Sequence, residues 1–277
     1  NKTLAERDGP LIPMIAETGG QNAMIVDSSA LIEQVVADVI RSGFQSAGQR
    51  CSALRVLYVQ NDIADTLLTM LSGAMAELSI DDPWKLSTDV TPVIDAEARD
   101  GLVDYVEKTR QKLDTIYACE LPEGNGTYVA PRAVELKSID DLGEEQFGPI
   151  VHVIRYEAED IDDVVDQINQ LGYGLTFGIH SRIDTTVERV VRRIKVGNAY
   201  VNRNMIGAVV GVHPFGGEGL SGTGPKAGGP HYLHRFATER AISRDTTAAG
   251  GNASLMSLEE DEPADNALVT PEPQRYG

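Results

Sequence analysis

Apolar residues recur at three- and four-residue steps in several separate stretches of the chain, which is the spacing of one face of an α-helix. The clearest stretch follows Ser28 and Ser29, either of which can cap a helix, and it predicts a helix that ends at Phe44. Its apolar positions are Ile32, Val35, Val36, Val39, Ile40 and Phe44. The same spacing predicts further helices over residues 62–78, 95–113, 161–171 and 184–195, with Asp95 and Asp184 as N-caps.

Short apolar runs lie between these helices and predict strands. The expected strands cover residues 11–16, 23–26, 53–59, 90–94, 115–119, 128–136, 150–156, 175–180 and 198–202. The run at 90–94 contains Pro92, so we expect it at a sheet edge or in irregular backbone. Strands that alternate with helices of about 10–17 residues predict an α/β fold with a largely parallel sheet covered on both faces.

The last third of the chain departs from this alternation. Residues 207–229 are rich in glycine and are expected to be irregular, and a long loop of this kind inside a compact domain is usually functional. Residues 246–255 are expected to add an exposed strand. Residues 257–277 hold six acids, three prolines and one arginine, a composition that predicts a mobile tail.

Composition restricts the possible partners. The formal net charge is −18, which argues against binding nucleic acid, because phosphate binding needs a positive surface. No run of about 18 apolar residues occurs, so no transmembrane helix is expected. The two widely spaced cysteines favour a reducing, cytoplasmic setting over a disulfide framework. The five histidines do not pair with them at ligand spacing, so no metal site is expected.

Two segments carry candidate chemistry. Cys51 lies in FQSAGQRCSALR, just after the predicted helix, where a thiol can meet a ligand and where Arg50 is expected to favour the thiolate. Glu17 lies 34 positions upstream in Glu17-Thr18-Gly19-Gly20-Gln21-Asn22. Taken alone, the cysteine is compatible with a small buried residue and the glutamate with a solvated turn. Cys119, in a strand-like run, and the single tryptophan, Trp84, are expected to be packing residues.

Together with Glu145-Gln146-Phe147-Gly148-Pro149, these two segments resemble the active-site signatures of the NAD(P)-dependent aldehyde dehydrogenase superfamily. The resemblance implies a three-layer catalytic domain in which Cys51 is the nucleophile and Glu17 the general base. It also implies that Glu145 holds a ribose of NAD and that Phe147 steadies its nicotinamide end. Thr18 and Gln21 depart from the commonest pattern, but they lie beside the acid–base residue and do not replace it.

The chain does not contain a Gly-x-Gly-x-x-Gly turn between a strand and a helix. The family resemblance therefore implies that most of the dinucleotide-binding domain lies upstream, together with the family's asparagine oxyanion donor. On this basis residues 1–19 end the NAD-binding domain and residues 20–235 form the catalytic domain. Residues 236–256 form a return segment with an oligomerisation strand, and residues 257–277 form the tail.

A narrower resemblance is carried by the segments 213–217, 221–230 and 246–255. They resemble the C-terminal half of the proline utilisation A family, bacterial flavoenzymes that join a proline dehydrogenase to an L-glutamate-γ-semialdehyde (Δ1-pyrroline-5-carboxylate) dehydrogenase. This implies that Ser52 and the backbone of Gly228 and Gly229 hold a substrate carboxylate. It also implies that Phe236 packs on the aliphatic carbons of the substrate.

The same resemblance implies partners and a location. The partners are the upstream NAD-binding and proline dehydrogenase domains, with FAD only in the latter, and a second copy in a homo-oligomer. The protein is expected in the bacterial cytoplasm, where the parent polypeptide can associate peripherally with the inner membrane. Three alternatives stay open: an aldehyde dehydrogenase with a different pocket, a non-catalytic scaffold of the same fold, and a cysteine hydrolase. The hydrolase is disfavoured because no His–Asn/Asp partnership is visible.

Overall fold

The computed structural model describes residues 2–110, 113–122 and 124–243. The predicted strand at residues 246–255 and the tail at 257–277 lie outside these ranges. The chain divides into two compact units, residues 1–236 and 237–277, and the described part of the second unit, residues 237–243, contains no helix or strand. The domain boundaries expected from the sequence stay a prediction.

Nine strands are described. In chain order they are β1 (Ala23–Val26), β2 (Val56–Gln60), β3 (Asp114–Ala118), β4 (Arg132–Leu136), β5 (Ile150–Tyr156), β6 (Tyr173–Gly174), β7 (Thr176–His180), β8 (Asn198–Val201) and β9 (Glu218–Gly219). Seven form one sheet in the order β3-β4-β5-β2-β1-β7-β8, while β6 pairs only with β9. Every pair in the large sheet is parallel except β3–β4, so the predicted α/β class is confirmed.

The described residues contain six α-helices. They are α1 (Lys2–Glu6), α2 (Ile32–Phe44), α3 (Asn61–Ala76), α4 (Ala96–Thr109), α5 (Ile161–Gln170) and α6 (Asp184–Arg193). Asp95 caps α4 as predicted, because its side chain accepts a hydrogen bond of 2.8 Å from the Ala98 N–H. The cap predicted for α6 is wrong: Asp184 is the first helical residue, and the residue before it, Ile183, makes no side-chain capping bond.

Alternate residues along the central strands enter different cores. Met24 and Val26 of β1 pack in one apolar cluster with residues of α2, α3 and α4, whereas Ala23 and Ile25 pack in another with residues of α5 and α6. All four side chains are buried, as expected for a parallel sheet that is covered on both faces. Cys119 packs against the first cluster, and its thiol donates to the Met75 carbonyl at 3.3 Å.

Two predictions about local structure are wrong, and a third is confirmed in part. Residues 11–16 form no strand, and Leu11 is fully exposed. The first bridge in this part of the chain is made by Glu17, which pairs with Gly222. Residues 90–94 form no strand and contribute only an isolated bridge between Val90 and Ile80, so the irregular backbone expected around Pro92 is confirmed. Trp84 is 91% exposed, because its turn is held by local bonds such as Trp84 N–H to Asp82 Oδ1 (2.9 Å) and not by packing of the ring.

Parallel pairing places the candidate chemistry at one edge of the sheet. The segment of Glu17 leads into β1, that of Cys51 into β2, and that of Glu145 into β5. These three strands are neighbours and run in the same direction, so their amino ends meet. The segments that lead into β7 and β8 arrive at the same edge. The fold thus brings together motifs that are far apart in the sequence.

Within the described ranges, none of the helices has the length and apolar character needed to cross a bilayer. The same residues contain no group of three or more His, Cys, Asp or Glu side chains arranged to hold a metal ion.

Candidate active site

The loop of Cys51 begins with a sharp turn directly after α2. Ser46, Ala47 and Gly48 have φ values of 57°, 52° and 65°, in the left-handed region that non-glycine residues seldom adopt. Gly48 is required here, because a Cβ at this position would overlap the carbonyl of Gly148, which lies in the segment leading into β5. The turn ends α2 and brings Cys51, which is half-buried, to the amino end of β2.

Asn22 fixes the backbone that directly follows the Cys51 side chain. Its Nδ2 donates to the carbonyls of Cys51 (2.7 Å) and Ala53 (2.9 Å), and its Oδ1 accepts from the N–H of Thr176 (3.1 Å). Asn22 is 3% exposed, so these bonds replace the water that the amide lost on burial. The sequence motif contained Asn22, but reasoning from the sequence gave it no role.

Two carboxylates act on the thiol. Burial raises the pKa of Cys51, and the negative charges of Glu17 and Glu145 raise it further, against the lowering effect of the Ser52 and Cys51 backbone N–H groups. The expectation that Arg50 favours the thiolate is wrong in its net direction, since the pKa is raised. The Arg50 Nε instead donates to the Ser46 hydroxyl at 3.1 Å. The structure therefore brings Cys51, Glu17 and Glu145 within electrostatic reach of one another.

Glu17 faces the glycine-rich segment that follows β8. Its Oε2 accepts from the Gly217 N–H at 3.4 Å, and a Cβ at Gly216 would lie 2.6 Å from its Oε1. Burial raises the pKa of Glu17, although the Gly217 N–H and the positive charge of Lys226 oppose the rise. A carboxylate with a raised pKa suits a general base that works near neutral pH. The contribution of Gly216, Gly217 and Lys226 was not predicted from the sequence.

Glu145 and Phe147 lie beside a cavity of about 720 Å³ whose apolar wall includes Leu102 and Tyr105. The Glu145 carboxylate is an ion-pair partner of Arg55 (3.3 Å) and is 17% exposed, whereas Phe147 is 44% exposed. Gly19 makes room for this carboxylate, because a Cβ there would overlap it. A carboxylate beside an apolar wall and an open aromatic ring fits a ribose diol and a flat heteroaromatic ring.

Gln21 holds the segment of Glu145 in place. Its Nε2 donates to the Gly143 carbonyl at 2.7 Å, and the residue is 5% exposed. Gln21 is one of the two departures from the commonest family pattern. Here it links the segment of Glu17 to the loop that carries Glu145.

The candidate carboxylate-holding residues lie in different settings. Ser52 is buried next to Cys51, and Gly229 belongs to a turn in which its N–H donates to the Lys226 carbonyl at 3.0 Å. Gly228 has a φ of +70°, and a Cβ there would meet no atom within 4 Å. Gly229 also lines a cavity of about 740 Å³ whose lining, within the described residues, includes the cations Arg203 and Lys226 and no carboxylate.

Phe236, the last of the candidate site residues, is largely exposed. It ends an exposed turn (Leu233–Phe236), its side chain is 68% exposed, and its ring packs against Tyr232 with a centroid distance of 5.5 Å. Phe215, in contrast, is half-buried and directly precedes the Gly216 that contacts Glu17. The role expected of Phe236 stays a prediction.

Comparison with known proteins places the chain in a family. Residues 2–242 match the sequence model described as the aldehyde dehydrogenase family. The chain is 57% identical over 235 residues to the bifunctional protein PutA of Klebsiella aerogenes, a match that covers 82% of this chain and 18% of the relative. It is 34% identical to the 1-pyrroline-5-carboxylate dehydrogenase of Geobacillus kaustophilus, covering 83% of this chain and 45% of that protein.

Solved structures agree. A crystal structure of bifunctional proline utilization A superposes with a TM-score of 0.86 and 56% identity, covering 90% of this chain and 26% of that one. A 1-pyrroline-5-carboxylate dehydrogenase from Thermus with bound NAD superposes with a TM-score of 0.75 and 34% identity, covering 80% and 43%. The chain thus spans about a fifth of the length of its bifunctional relatives in the sequence comparison (18–20%).

Proposed function

The chain belongs to the aldehyde dehydrogenase family, and from that premise we propose that it is the catalytic part of an NAD-dependent L-glutamate-γ-semialdehyde dehydrogenase. The reaction oxidises the aldehyde to L-glutamate, the second step of proline catabolism. The observation that carries the proposal is the meeting of Cys51, Glu17 and Glu145 at the amino ends of three neighbouring parallel strands. The similarity to proteins named 1-pyrroline-5-carboxylate dehydrogenase supports this choice of substrate.

Cys51 begins the chemistry. Its thiolate attacks the aldehyde carbon to give a thiohemiacetal, and the backbone N–H groups of Cys51 and Ser52, which already lower the pKa of the thiol, are positioned to stabilise the oxyanion. The chemistry that NAD supplies when bound is the acceptance of a hydride from that carbon. The acyl group then remains on Cys51 as a thioester, so one difficult oxidation is divided into two easier steps.

Glu17 completes the reaction. As a carboxylate it takes a proton from a water molecule, which attacks the thioester and releases glutamate. The Gly217 N–H orients this carboxylate, and Lys226 supplies a positive charge close to it.

Replacing Lys226 with methionine should move the acidic side of the pH–rate profile to higher pH. Lys226 lowers the pKa of Glu17, so removing its charge lets that pKa rise further above its ordinary value. Glu17 then becomes protonated at a higher pH, and activity at low pH falls while the plateau at high pH is retained. The measurement is kcat against pH, with the exposed Lys137→Met as the matched control. An unchanged profile, or a shift to lower pH, would contradict the role of Lys226.

Glu145 and Phe147 are proposed to hold the ribose and the nicotinamide end of NAD. The carboxylate accepts two hydrogen bonds from a ribose diol, and the cavity beside it supplies an apolar wall. The rest of the dinucleotide site is proposed to lie in the upstream part of a longer polypeptide. That polypeptide is proposed to include a proline dehydrogenase with FAD and to form a homo-oligomer. It is also proposed to be a bacterial cytoplasmic protein that associates peripherally with the inner membrane.

The substrate carboxylate is proposed to bind to Ser52 and to the turn of Gly228 and Gly229, with Phe236 against the aliphatic carbons. Two features support this: Ser52 adjoins the nucleophile, and the cavity lined by Gly229 carries the cations Arg203 and Lys226 and no carboxylate in its described lining. Because the Gly229 N–H already donates to Lys226, the Gly228 N–H is the proposed backbone donor.

A pair of aldehydes tests this specificity. Ser52→Ala should lower kcat/KM for glutamate semialdehyde roughly ten- to hundredfold, since a donor to a charged group is worth about 1.5–3 kcal/mol. Turnover of a short aldehyde without a carboxylate should change much less. Gly229→Leu should act in the same direction and more strongly, because it adds bulk. The control is Ser72→Ala, a half-buried serine of α3 that bonds only to its own helix.

The two aldehydes also separate the alternatives. Equal losses on both would show that Ser52→Ala displaces Cys51. An unchanged rate on both would contradict the anchor, and a wild-type preference for aldehydes without a carboxylate would contradict the semialdehyde assignment itself.

A further inference from the structure

Arg55 is buried to an unusual degree for a permanently charged residue. Only 1% of it is exposed, and it heads the fully buried side chains of the described residues when these are ordered by volume. Removing an arginine from water is costly unless its donors find partners. Four hydrogen bonds from its guanidinium are present, and they lead to two different loops.

Three of these bonds go to backbone carbonyls. Nη1 donates to Gly48 (2.7 Å) and Gly148 (3.1 Å), and Nη2 donates to Arg50 (3.3 Å). Gly48 and Arg50 belong to the Cys51 loop, whereas Gly148 belongs to the segment leading into β5. A single nitrogen therefore bridges the loop of the nucleophile and the loop that carries the cofactor contacts.

This bridge requires the two loops to lie close together. Gly48 has a φ of +65°, and a Cβ there would overlap the Gly148 carbonyl. Because Gly48 has no side chain, its backbone approaches that of Gly148 directly, and both carbonyls come within reach of Nη1.

The fourth bond of the guanidinium goes to Glu145, and its flat face lies over the ring of Phe147. Nε lies 3.3 Å from Glu145 Oε1, and the guanidinium carbon lies 5.0 Å from the centroid of the Phe147 ring. An arginine suits this task better than a lysine, because its planar group donates in several fixed directions and stacks on aromatic rings.

We propose that Arg55 is a positioning residue that ties the Cys51 loop to Glu145 and Phe147, so that thiol reactivity and cofactor affinity depend on one guanidinium. The part that concerns the cofactor rests on the proposed function. The link between the two loops rests only on the geometry described above, so the two parts can fail separately.

Arg55→Lys in the intact polypeptide tests both parts. Lysine keeps the charge but cannot reach Glu145, Gly48, Gly148 and Arg50 at once. The limiting rate at which iodoacetamide alkylates Cys51 at high pH, without NAD, should change by about threefold or more. Mass spectrometry of the Cys51 peptide measures this rate. The KM for NAD should rise, and kcat should fall roughly tenfold or more, because a misplacement of about 1 Å can cost on the order of 10²-fold.

Arg155→Lys is the matched control. Arg155 lies on β5 and, like Arg55, is ion-paired within the structure, with the carboxylates of Asp65 (2.7 Å) and Glu135 (2.8 Å), but its bonds go to neither loop. Both lysine variants can lower the melting temperature. Only Arg55→Lys should alter the limiting alkylation rate and the KM for NAD.

Two outcomes would overturn the proposal. If the folded Arg55→Lys protein keeps the limiting alkylation rate and the KM for NAD within about twofold of the wild type, Arg55 is only structural. If Arg55→Lys does not fold, Phe147→Leu replaces it, since it removes the ring beneath the guanidinium without changing charge. A limiting alkylation rate that differs from wild type by about twofold or less in Phe147→Leu would then overturn the coupling of thiol reactivity to the proposed cofactor contacts. The alkylation assay needs no aldehyde, so it remains decisive if the assigned substrate is wrong.

Discussion

Replacing Cys51 with alanine in the intact polypeptide should abolish formation of NADH from glutamate semialdehyde, with a loss of about four orders of magnitude or more. The reason is that the thioester route needs a covalent bond to sulfur, and the described site places no second thiol beside Glu17 and Glu145. Cys51→Ser should be almost as severe, because a serine hydroxyl at neutral pH is a much weaker nucleophile than a thiolate. NADH absorbance gives the rate, and circular dichroism confirms the fold.

Cys119→Ala is the natural control for this experiment. Cys119 is the other half-buried free thiol, but it packs against the core and bonds to the Met75 carbonyl. Its loss should affect stability slightly and aldehyde oxidation little. Near-normal NADH formation by Cys51→Ala, or an equal loss in both variants, would remove Cys51 from the mechanism.

The predictable part of the fold is the part with strong periodicity. Residues 32–44 form α2 as predicted, because six apolar positions at helical spacing meet the core on one face. The run at residues 11–16 is as apolar but forms no strand, because a strand needs a neighbour and Leu11 has none. The prediction for Trp84 failed for a similar reason. A hydrophobic side chain is buried only when the backbone around it lets the side chain pack against the core.

The site was predictable in its chemical groups but not in its electrostatics. The sequence places Arg50 next to Cys51, which led to the expectation of a stabilised thiolate. It does not show that Glu17, 34 positions away, and Glu145, 94 positions away, both come close enough to oppose ionisation. Arg55 was overlooked for the same reason, since its bond to Gly148 spans 93 positions and exists only once β2 and β5 pair.

Glu17→Gln should separate the two halves of the reaction. Hydrolysis of the thioester loses its base and should slow by roughly 10²–10⁴-fold, the usual contribution of general-base catalysis. Attack by Cys51 and loss of the hydride do not need Glu17, so rapid mixing should show a burst of about one NADH per active site, followed by a slow phase. A fall of the burst and the slow phase together would mean that Glu17 acts before hydrolysis.

The same substitution should make Cys51 more reactive. The charge of Glu17 raises the pKa of the thiol, so a neutral glutamine lowers that pKa and increases the thiolate fraction at neutral pH. Alkylation of Cys51 by iodoacetamide should therefore become faster while turnover becomes slower, with a circular dichroism spectrum like that of the wild type, because unfolding would also expose the half-buried thiol. Glu77→Gln, at an exposed glutamate after α3, should change neither rate. If alkylation of Cys51 in Glu17→Gln is unchanged or slower, the proposed electrostatic coupling between Glu17 and Cys51 is wrong.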